Sequence, residues 1–199
     1  MDSFENDARA RGYSHIAGVD EAGRGPLAGP VVAAAVVFSS PPPNGLGIND
    51  SKKLTPKRRA SLVFDIYGAA LAVGVGLAWP VEIDRINIHR ASLLAMRRAV
   101  SSLGLTPGFL LIDGKFPVDS TIPQLPVVSG DSLSVSIAAA SIIAKTARDA
   151  LMEAYDRLYP GYNFASNKGY PTADHYRCLG RLGPAPIHRR SFRGVEPVG

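Results

Sequence analysis

The chain has 199 residues, of which 46% are hydrophobic and 20% are charged, and its formal net charge is +5. This size and composition are typical of one soluble globular domain, and no apolar run approaches the roughly 18 residues that a membrane-spanning helix needs. The single cysteine, Cys178, excludes an internal disulfide and a cysteine-based zinc site, and it predicts a protein of the reducing cytoplasm.

The first half of the chain predicts strands before helices. Two apolar runs rich in β-branched residues, residues 16–19 and 31–38, predict strands on either side of a glycine-rich turn. Residues 39–45 predict a loop, and Thr55-Pro56 predicts the start of a helix that extends toward Tyr67. A third strand is predicted over residues 70–78 and an amphipathic helix over residues 82–103.

The second half places acids at the ends of buried elements. Residues 109–112 predict an apolar strand that ends at Asp113, and residues 125–128 predict another that ends near Asp131. Helices are predicted over residues 135–159 and 172–179, and a basic tail follows. We therefore expect one α/β domain over residues 1–199, with a mixed sheet and helices at about residues 14–160 and a helical, basic portion at about residues 161–199.

Basic residues are concentrated in two stretches of the sequence, and the net charge favours a polyanionic partner. The first stretch contains Lys52, Lys53, Lys57, Arg58 and Arg59, and the second contains Lys168, Arg177, Arg181, Arg189, Arg190 and Arg193. Taken alone, these clusters fit solvated faces equally well. If they flank a catalytic centre, they predict a track for nucleic-acid phosphates.

Two adjacent acids, Asp20 and Glu21, follow the first apolar run and precede Gly23-Arg24-Gly25. Consecutive side chains on a regular strand point to opposite faces, so both acids reach one site only if the chain leaves extended geometry there. The two glycines make that departure inexpensive, and Arg24 offers a planar fork that matches phosphate. Alone, an Asp-Glu pair is more often a solvated turn.

Four acids, Asp20, Glu21, Asp113 and Asp131, stand at the termini of predicted core elements. Carboxylates brought together raise one another's pKa unless a cation neutralises them, and oxygen ligands favour Mg²⁺ or Mn²⁺. Such a site suits hydrolysis of a phosphodiester by metal-activated water. Asp149 is a structural or surface acid in this interpretation, because it lies about 27 Å along a continuous helix from Asp131 at ~1.5 Å per residue.

Six ordered segments of the chain resemble the signatures of ribonuclease HII. They are GVDEAGRGPLAGPVV at residues 18–32, NDSKKL at 49–54, LIDG at 111–114, GD at 130–131 with AASIIAK at 139–145 and RD at 148–149, KGY at 168–170, and IHRRSF at 187–192. The resemblance extends in order from about residue 16 to residue 193, which is nearly the whole chain.

The resemblance implies an RNase H-like fold with a mixed five-stranded sheet, and it assigns catalysis and metal binding to the same four acids. It implies that Gly23, Arg24 and Gly25 sense the ribose 2′-hydroxyl and that Tyr170 packs on the sugar at the RNA–DNA junction. The substrate groove is then lined by motifs that contain Asn49, Lys52, Ser141 and Lys145. His188 is expected either to contact phosphate or to pack the C-terminal tail.

The activity that the resemblance implies is metal-dependent cleavage 5′ of a ribonucleotide, which leaves a 3′-hydroxyl and a 5′-phosphate. The implied substrates are RNA–DNA hybrids and duplex DNA with single embedded ribonucleotides, bound by a monomer that has no membrane partner. Some relatives continue past the last motif with a longer C-terminal segment, so the sequence does not predict whether the chain binds a replication clamp.

Two alternatives stand beside this interpretation. The first is ribonuclease HIII, a relative that typically carries lysine between the two glycines and usually has an additional N-terminal domain. Arg24, together with the fifteen or so residues before the first predicted strand, argues against it. The second is a non-catalytic module that binds hybrids through the same basic groove, which retention of all four acids argues against.

Overall fold

A computed structural model describes residues 1–40, 42, 46–48 and 55–195 of the chain, and within them the predicted mixed sheet is present. Its strands are β1 (Ile16–Ala22), β2 (Val31–Val37), β3 (Ala72–Ala78), β4 (Phe109–Asp113) and β5 (Gln124–Val127). The helices are α1 (Ser3–Ala10), α2 (Pro56–Ala69), α3 (Pro80–Ser101), α4 (Val135–Leu158), α5 (Phe164–Asn167) and α6 (Ala173–Leu182), with a 3₁₀ turn at Gly130–Ser132. The α/β fold class is therefore confirmed.

The strands lie in the order β3-β2-β1-β4-β5, antiparallel between β1, β2 and β3 and parallel from β1 through β4 to β5. Every residue of β2 is buried, which explains its unbroken Val and Ala composition. Because β1, β4 and β5 run in the same direction, their carboxyl ends meet at one edge of the sheet. That edge carries the acids predicted to bind metal.

Helices cover both faces of the sheet. Ala17, Val19 and Ile112 pack beneath α3, whereas Ala34 and Val36 pack beneath α2 and α4. A Cβ atom at Gly18 would lie 2.1 Å from the backbone carbon of Ser136, so the start of α4 lies directly against β1. None of the described helices is long and apolar enough to cross a membrane.

The helix predicted over residues 82–103 differs from the observed one at its start and in its middle. It begins two residues earlier, at Pro80, since proline fits the first helical position, where no N–H is needed. Asn87 then interrupts it with φ 67° and ψ 165°, and the Asn87 side-chain oxygen accepts a hydrogen bond from the Arg90 N–H at 3.1 Å. The single predicted helix is therefore two helices joined at a kink, with Asn87 capping the second.

The C-terminal portion shares a core with the rest of the chain. Phe164 and Leu179 pack with Leu27 and with Met152 of α4. The helix predicted over residues 172–179 extends to Leu182, and the Thr172 hydroxyl caps it by accepting a hydrogen bond from the His175 N–H at 3.1 Å. This packing places Arg189 beside the turn that follows β1.

Helix α1 was not predicted from the sequence, because residues 1–12 are polar and show no long apolar repeat. Its anchor is Glu5, which is 3% exposed. The Glu5 Oε1 atom accepts hydrogen bonds from the Ser134 hydroxyl at 2.6 Å, from the Ser136 N–H at 3.0 Å and from the Ser136 hydroxyl. One carboxylate thus satisfies donors at the start of α4, where negative charge also complements the helix dipole.

Replacing Glu5 with alanine should lower the free energy of unfolding by about 2–3 kcal/mol, because it leaves three buried donors without their acceptor. Urea unfolding followed by circular dichroism measures the change. Asp7→Ala on the exposed side of the same helix is the control and should stay within about 0.5 kcal/mol of wild type. Equal effects of the two substitutions would contradict the anchoring role of Glu5.

Candidate active site

Two candidate acids lie side by side on neighbouring parallel strands. The pairing of β1 with β4 aligns Val19 with Ile112, so the next residues along each strand, Asp20 and Asp113, are adjacent. Side chains alternate between the faces of a sheet, and Val19 and Ile112 pack beneath α3. Asp20 and Asp113 therefore both project toward the α4 face at the carboxyl edge.

Asp20 is 5% exposed and is held by two hydrogen bonds. The Glu21 N–H donates to Asp20 Oδ1 at 2.7 Å, and the hydroxyl of Ser141 on α4 donates to the same carboxyl group. Burial raises the pKa of Asp20 well above its usual value, and the negative charges of Glu21 and Asp113 raise it further. A charged Asp20 is therefore costly to the fold unless a cation compensates it.

Glu21 occupies the opposite face of β1, which corrects the expectation that the chain leaves extended geometry at the acid pair. The strand continues through both acids to Ala22, and the departure comes at Gly23, where φ is +99°. Glu21 Oε1 accepts a hydrogen bond from Arg24 Nη1 at 3.2 Å, whereas Oε2 is buried and has no hydrogen-bond partner among the described residues. Burial raises the pKa of Glu21, Arg24 lowers it and Asp113 raises it.

The turn after β5 brings Asp131 beside Asp113. Asp113 Oδ1 accepts a hydrogen bond from the Gly130 N–H at 2.7 Å, and the Gly114 N–H donates to the Val127 carbonyl at 3.0 Å. Asp131, the next residue along, is 8% exposed and lies in the 3₁₀ turn that precedes α4. All four acids thus occupy the same edge of the sheet.

The donor chemistry of this edge fits a hard divalent cation. Asp20, Glu21 and Asp113 act on one another electrostatically in a buried setting, and no described residue forms a hydrogen bond with the buried Glu21 Oε2 atom. Within the described part of the chain, however, no three potential ligands converge closely enough to hold one ion. Asp20 and Glu21 lie on opposite faces, and like charges repel without a cation, so side-chain movement must accompany metal binding.

Beside the acids, the backbone from Gly23 to Pro30 is held by two buried arginines. Arg189 donates to the carbonyl groups of Gly23 at 2.6 Å, Arg24 at 2.9 Å and Gly29 at 2.8 and 3.0 Å. Arg148 donates at 3.0 Å to each of the carbonyl groups of Ala28, Pro30 and Lys168. The carbonyl groups of the turn predicted to sense ribose are therefore held by a side chain, whereas the backbone of residues 27–29 also forms hydrogen bonds with that of Gly169, Ile187 and Arg189.

The remaining groove residues predicted from the sequence fall into three groups. Tyr170 is 41% exposed and its ring lies 3.7 Å from a Cβ atom built at Gly25, so it borders the turn. Ser141 contacts Asp20, and Lys145, one helical turn further along α4, pairs with Asp149 at 2.7 Å. Asn49 and Lys52 lie outside the described residues.

Asp149 lies far along α4 from the acids and pairs with Lys145 and, at 3.7 Å, with Arg59. His188 packs the tail, since it is 1% exposed and its Nε2 atom lies 3.0 Å from Nε2 of His175. In the sequence, Arg189 belongs to a basic stretch that fits a solvated face or a phosphate track, whereas the structure buries Arg189 on backbone carbonyl groups. No role of its own was predicted for Arg148. A structural role for Arg148 could have been predicted from its position in a helix that otherwise buries alanine and isoleucine, because a buried charged residue requires specific partners.

Comparison with known proteins agrees with this geometry. The family profile described as ribonuclease HII matches residues 17–195. The ribonuclease HII of Geobacter sulfurreducens is 58% identical, over 97% of this chain and 88% of that protein. The chain belongs to the ribonuclease HII family. It is accordingly a metal-dependent ribonuclease H, an endoribonuclease that acts on RNA–DNA hybrids.

Solved structures of ribonucleases H share this fold. The ribonuclease H2 of Pyrococcus horikoshii OT3 superposes with a TM-score of 0.77 at 28% identity, covering 90% of this chain and 94% of that chain. A ribonuclease HIII solved in complex with Mn²⁺ (Bst-RNase HIII) has a TM-score of 0.74 at 21% identity, covering 92% and 68% of the two chains. The similarity to the ribonuclease HIII supports the fold alone. The metal dependence of this chain is inferred from its membership of the ribonuclease HII family.

A ribonuclease HII that holds buried acids at this edge should become more stable when one of them loses its charge. The folded protein raises the pKa of Asp20, so the charged carboxylate lowers the free energy of unfolding at neutral pH. This loss disappears as the pH falls through the folded-state pKa toward the unfolded value of about 4. Asp20→Asn should therefore raise the Tm of metal-free protein at neutral pH, with the gain shrinking in acid.

Differential scanning fluorimetry in EDTA across the pH range measures this change. Asp65→Asn, an exposed position on α2, is the control and should leave the pH dependence of Tm as in wild type. A lower Tm for Asp20→Asn at neutral pH would contradict the assigned electrostatic cost.

Proposed function

We propose that this chain hydrolyses the phosphodiester bond 5′ of a ribonucleotide, both in RNA–DNA hybrids and at single ribonucleotides embedded in duplex DNA. The products are a 3′-hydroxyl and a 5′-phosphate. The observation that carries the proposal is the set of neighbouring acids at the carboxyl edge, one of which, Glu21, accepts a hydrogen bond from Arg24 in the Gly23-Arg24-Gly25 turn. One site thus combines a place for divalent metal with backbone that can contact a sugar.

In this proposal Asp20, Glu21, Asp113 and Asp131 hold Mg²⁺ or Mn²⁺. When bound, the metal supplies activation of the attacking water and stabilisation of the leaving oxygen. The chain's own contacts orient its acids: the Ser141 hydroxyl holds Asp20, and the Gly130 N–H holds Asp113. Hydrogen bonds of this kind fix ligand carboxylates in metal sites generally.

Substrate recognition is assigned to the turn and to the basic groove. Gly23, Arg24 and Gly25 contact the ribose 2′-hydroxyl, the group that distinguishes RNA from DNA, and Tyr170 packs on the adjoining sugar. Groove contacts are assigned to Asn49, Lys52, Ser141 and Lys145. The exposed Tyr170 ring beside Gly25 supports this arrangement.

The same proposal covers the domain organisation, the oligomeric state and the cellular location of the protein. Residues 161–199 form the substrate-binding portion of one domain with residues 14–160, and the shared core of Leu27, Met152 and Phe164 supports this. In this proposal the protein acts as a monomer, as suits a nuclease that binds its substrate in a groove, and it lies in the cytoplasm, as its single cysteine suggests. Light scattering after size-exclusion chromatography, with and without a hybrid duplex, tests the monomeric state.

The decisive assay offers three labelled duplexes to the protein: DNA with one ribonucleotide, all-DNA, and an RNA–DNA hybrid. Each is incubated with Mg²⁺, Mn²⁺ or EDTA. A metal-dependent cut immediately 5′ of the ribonucleotide, with the all-DNA duplex intact, supports the proposal. Cleavage of the hybrid alone would indicate the substrate preference of ribonuclease HIII. Binding without cleavage by folded protein would indicate a hybrid-binding module.

A further inference from the structure

Two arginines of this chain are buried without a carboxylate partner. Arg148 is 1% exposed and Arg189 is 0% exposed, and within the described residues neither forms an ion pair. Burial lowers the pKa of Arg148 to about 10 and that of Arg189 to about 9. A buried cation is costly unless hydrogen bonds satisfy its donors, and here backbone carbonyl groups do so.

The two guanidinium groups bind different carbonyl groups of the Gly23–Pro30 backbone. Arg189 binds the carbonyl groups of Gly23 and Arg24, in the turn itself, and also that of Gly29. Arg148 donates hydrogen bonds to the far end of the segment and to the Lys168 carbonyl two residues before Tyr170, and its side chain also packs against Gly23. Among these two arginines, only Arg189 donates hydrogen bonds to the turn's own carbonyl groups.

The contacts of Arg189 with these carbonyl groups determine the direction in which the neighbouring N–H groups point. In a trans peptide the carbonyl of one residue and the N–H of the next point in opposite directions, and the described backbone contains no cis peptide. Because Arg189 draws the Gly23 and Arg24 carbonyl groups inward, the N–H groups of Arg24 and Gly25 point outward. Both residues are exposed, and Gly25 lies beside the Tyr170 ring.

We propose that Arg189 is a positioning residue for ribose recognition: it holds the Gly23-Arg24-Gly25 peptides so that their outward N–H groups donate to the 2′-hydroxyl oxygen of the substrate. The inference rests on the proposed function. A deoxyribose has no oxygen at this position, so the fixed donors lose their acceptor there. Arg189 touches no substrate atom and acts entirely through the turn.

Arg189→Lys tests the role because lysine keeps the positive charge but lacks the planar fork that reaches several carbonyl groups at once. The readout is the ratio of kcat/KM for a duplex with one ribonucleotide to kcat/KM for the same duplex with a 2′-fluoro nucleotide, whose fluorine is a poor acceptor. We expect a roughly 10- to 100-fold loss on the ribonucleotide, as for outer partners of other catalytic groups, and a much smaller loss on the fluoro substrate.

Two matched arginine-to-lysine variants separate positioning from general structure. Arg148→Lys leaves the hydrogen bonds from Arg189 to the turn in place, although Arg148 packs against Gly23, so it should lower the ratio much less than Arg189→Lys does. Arg97→Lys, on the exposed ion pair with Asp119, should change neither rate. A fall in the ratio for Arg148→Lys as large as that for Arg189→Lys would overturn the specific assignment to Arg189.

Should Arg189→Lys fail to fold, Asp84→Asn decides the question. The Asp84 carboxylate accepts hydrogen bonds from the Arg190 N–H and the Ser191 N–H, each at 2.9 Å, and so anchors the segment that follows Arg189. Weakening that anchor should lower the same ratio by a smaller factor. An unchanged ratio in a folded Asp84→Asn protein would then overturn the inference.

The outcomes also separate this inference from the function on which it rests. A wild-type protein that leaves the ribonucleotide duplex uncut contradicts the proposed function itself. A wild-type protein that cuts both substrates equally well, or a folded Arg189→Lys variant with the wild-type ratio, contradicts only the positioning role.

Discussion

Asp113→Asn should reduce cleavage of an RNA–DNA hybrid by more than about 100-fold while leaving hybrid binding intact. Loss of an outer partner of a metal ligand already costs about 10- to 100-fold, and a ligand itself should cost more. Asparagine keeps an oxygen that can accept the Gly130 N–H now bound at 2.7 Å, so the turn that carries Asp131 should stay in place. Single-turnover cleavage and fluorescence anisotropy measure the two effects.

The control for this substitution is Asp119→Asn, on an exposed side chain that pairs only with Arg97 across the surface. It should cleave and bind like the wild-type protein. Equal activity of Asp113→Asn and wild type would remove Asp113 from the catalytic set. Loss of binding together with cleavage would point instead to collapse of the edge of the sheet.

Gly23→Ala should lower the free energy of unfolding by more than about 3 kcal/mol and abolish activity. At a φ of +99° an alanine is strained, and its Cβ would lie 2.0 Å from Arg148 Nε and 2.9 Å from the Pro30 carbonyl oxygen. Arg148 cannot move away without cost, because it is buried and donates to three carbonyl groups, and a hydrogen bond of a charged group contributes about 1.5–3 kcal/mol. Urea unfolding and the cleavage assay measure both losses.

Gly12→Ala is the matched control, since Gly12 also has a positive φ, +87°, but a Cβ there meets nothing within 4 Å. Its free energy of unfolding should fall only by the cost of the strained backbone, about 1–2 kcal/mol, and the variant should retain activity. Similar losses in the two variants would show that strain alone, and not the contact with Arg148, limits residue 23.

The location of the candidate acids could be predicted because the apolar residues next to them in the sequence indicate buried strands and helices. The apolar run before Asp113 requires a buried strand, and parallel strands bring their carboxyl ends to one edge. The long apolar start of α4 likewise indicated a helix packed on the sheet. Both inferences depend on patterns within a few residues, which is where hydrophobic periodicity is informative.

Other features depended on partners far away in the sequence. Strand β1 continues to Ala22 because it pairs with β2. The glycines at positions 23 and 25 had instead suggested that the strand ends at the acid pair. Helix α1 depends on Glu5 meeting Ser134 and Ser136, and the kink at Asn87 divides an otherwise regular helical pattern. The roles of Arg148 and Arg189 arise from carbonyl groups that no side-chain pattern reveals.

The contact between Arg189 and Gly23 joins residues separated by 166 positions. During synthesis the strands that carry Asp20 and Asp113 are complete before Arg189 is added, so the edge that carries these acids can assemble while the adjoining turn still lacks its contacts with Arg189. Closing so long a loop is slow compared with local pairing. In terms of the proposed function, this order lets the acids assigned to metal binding assemble before the turn assigned to ribose recognition is fixed.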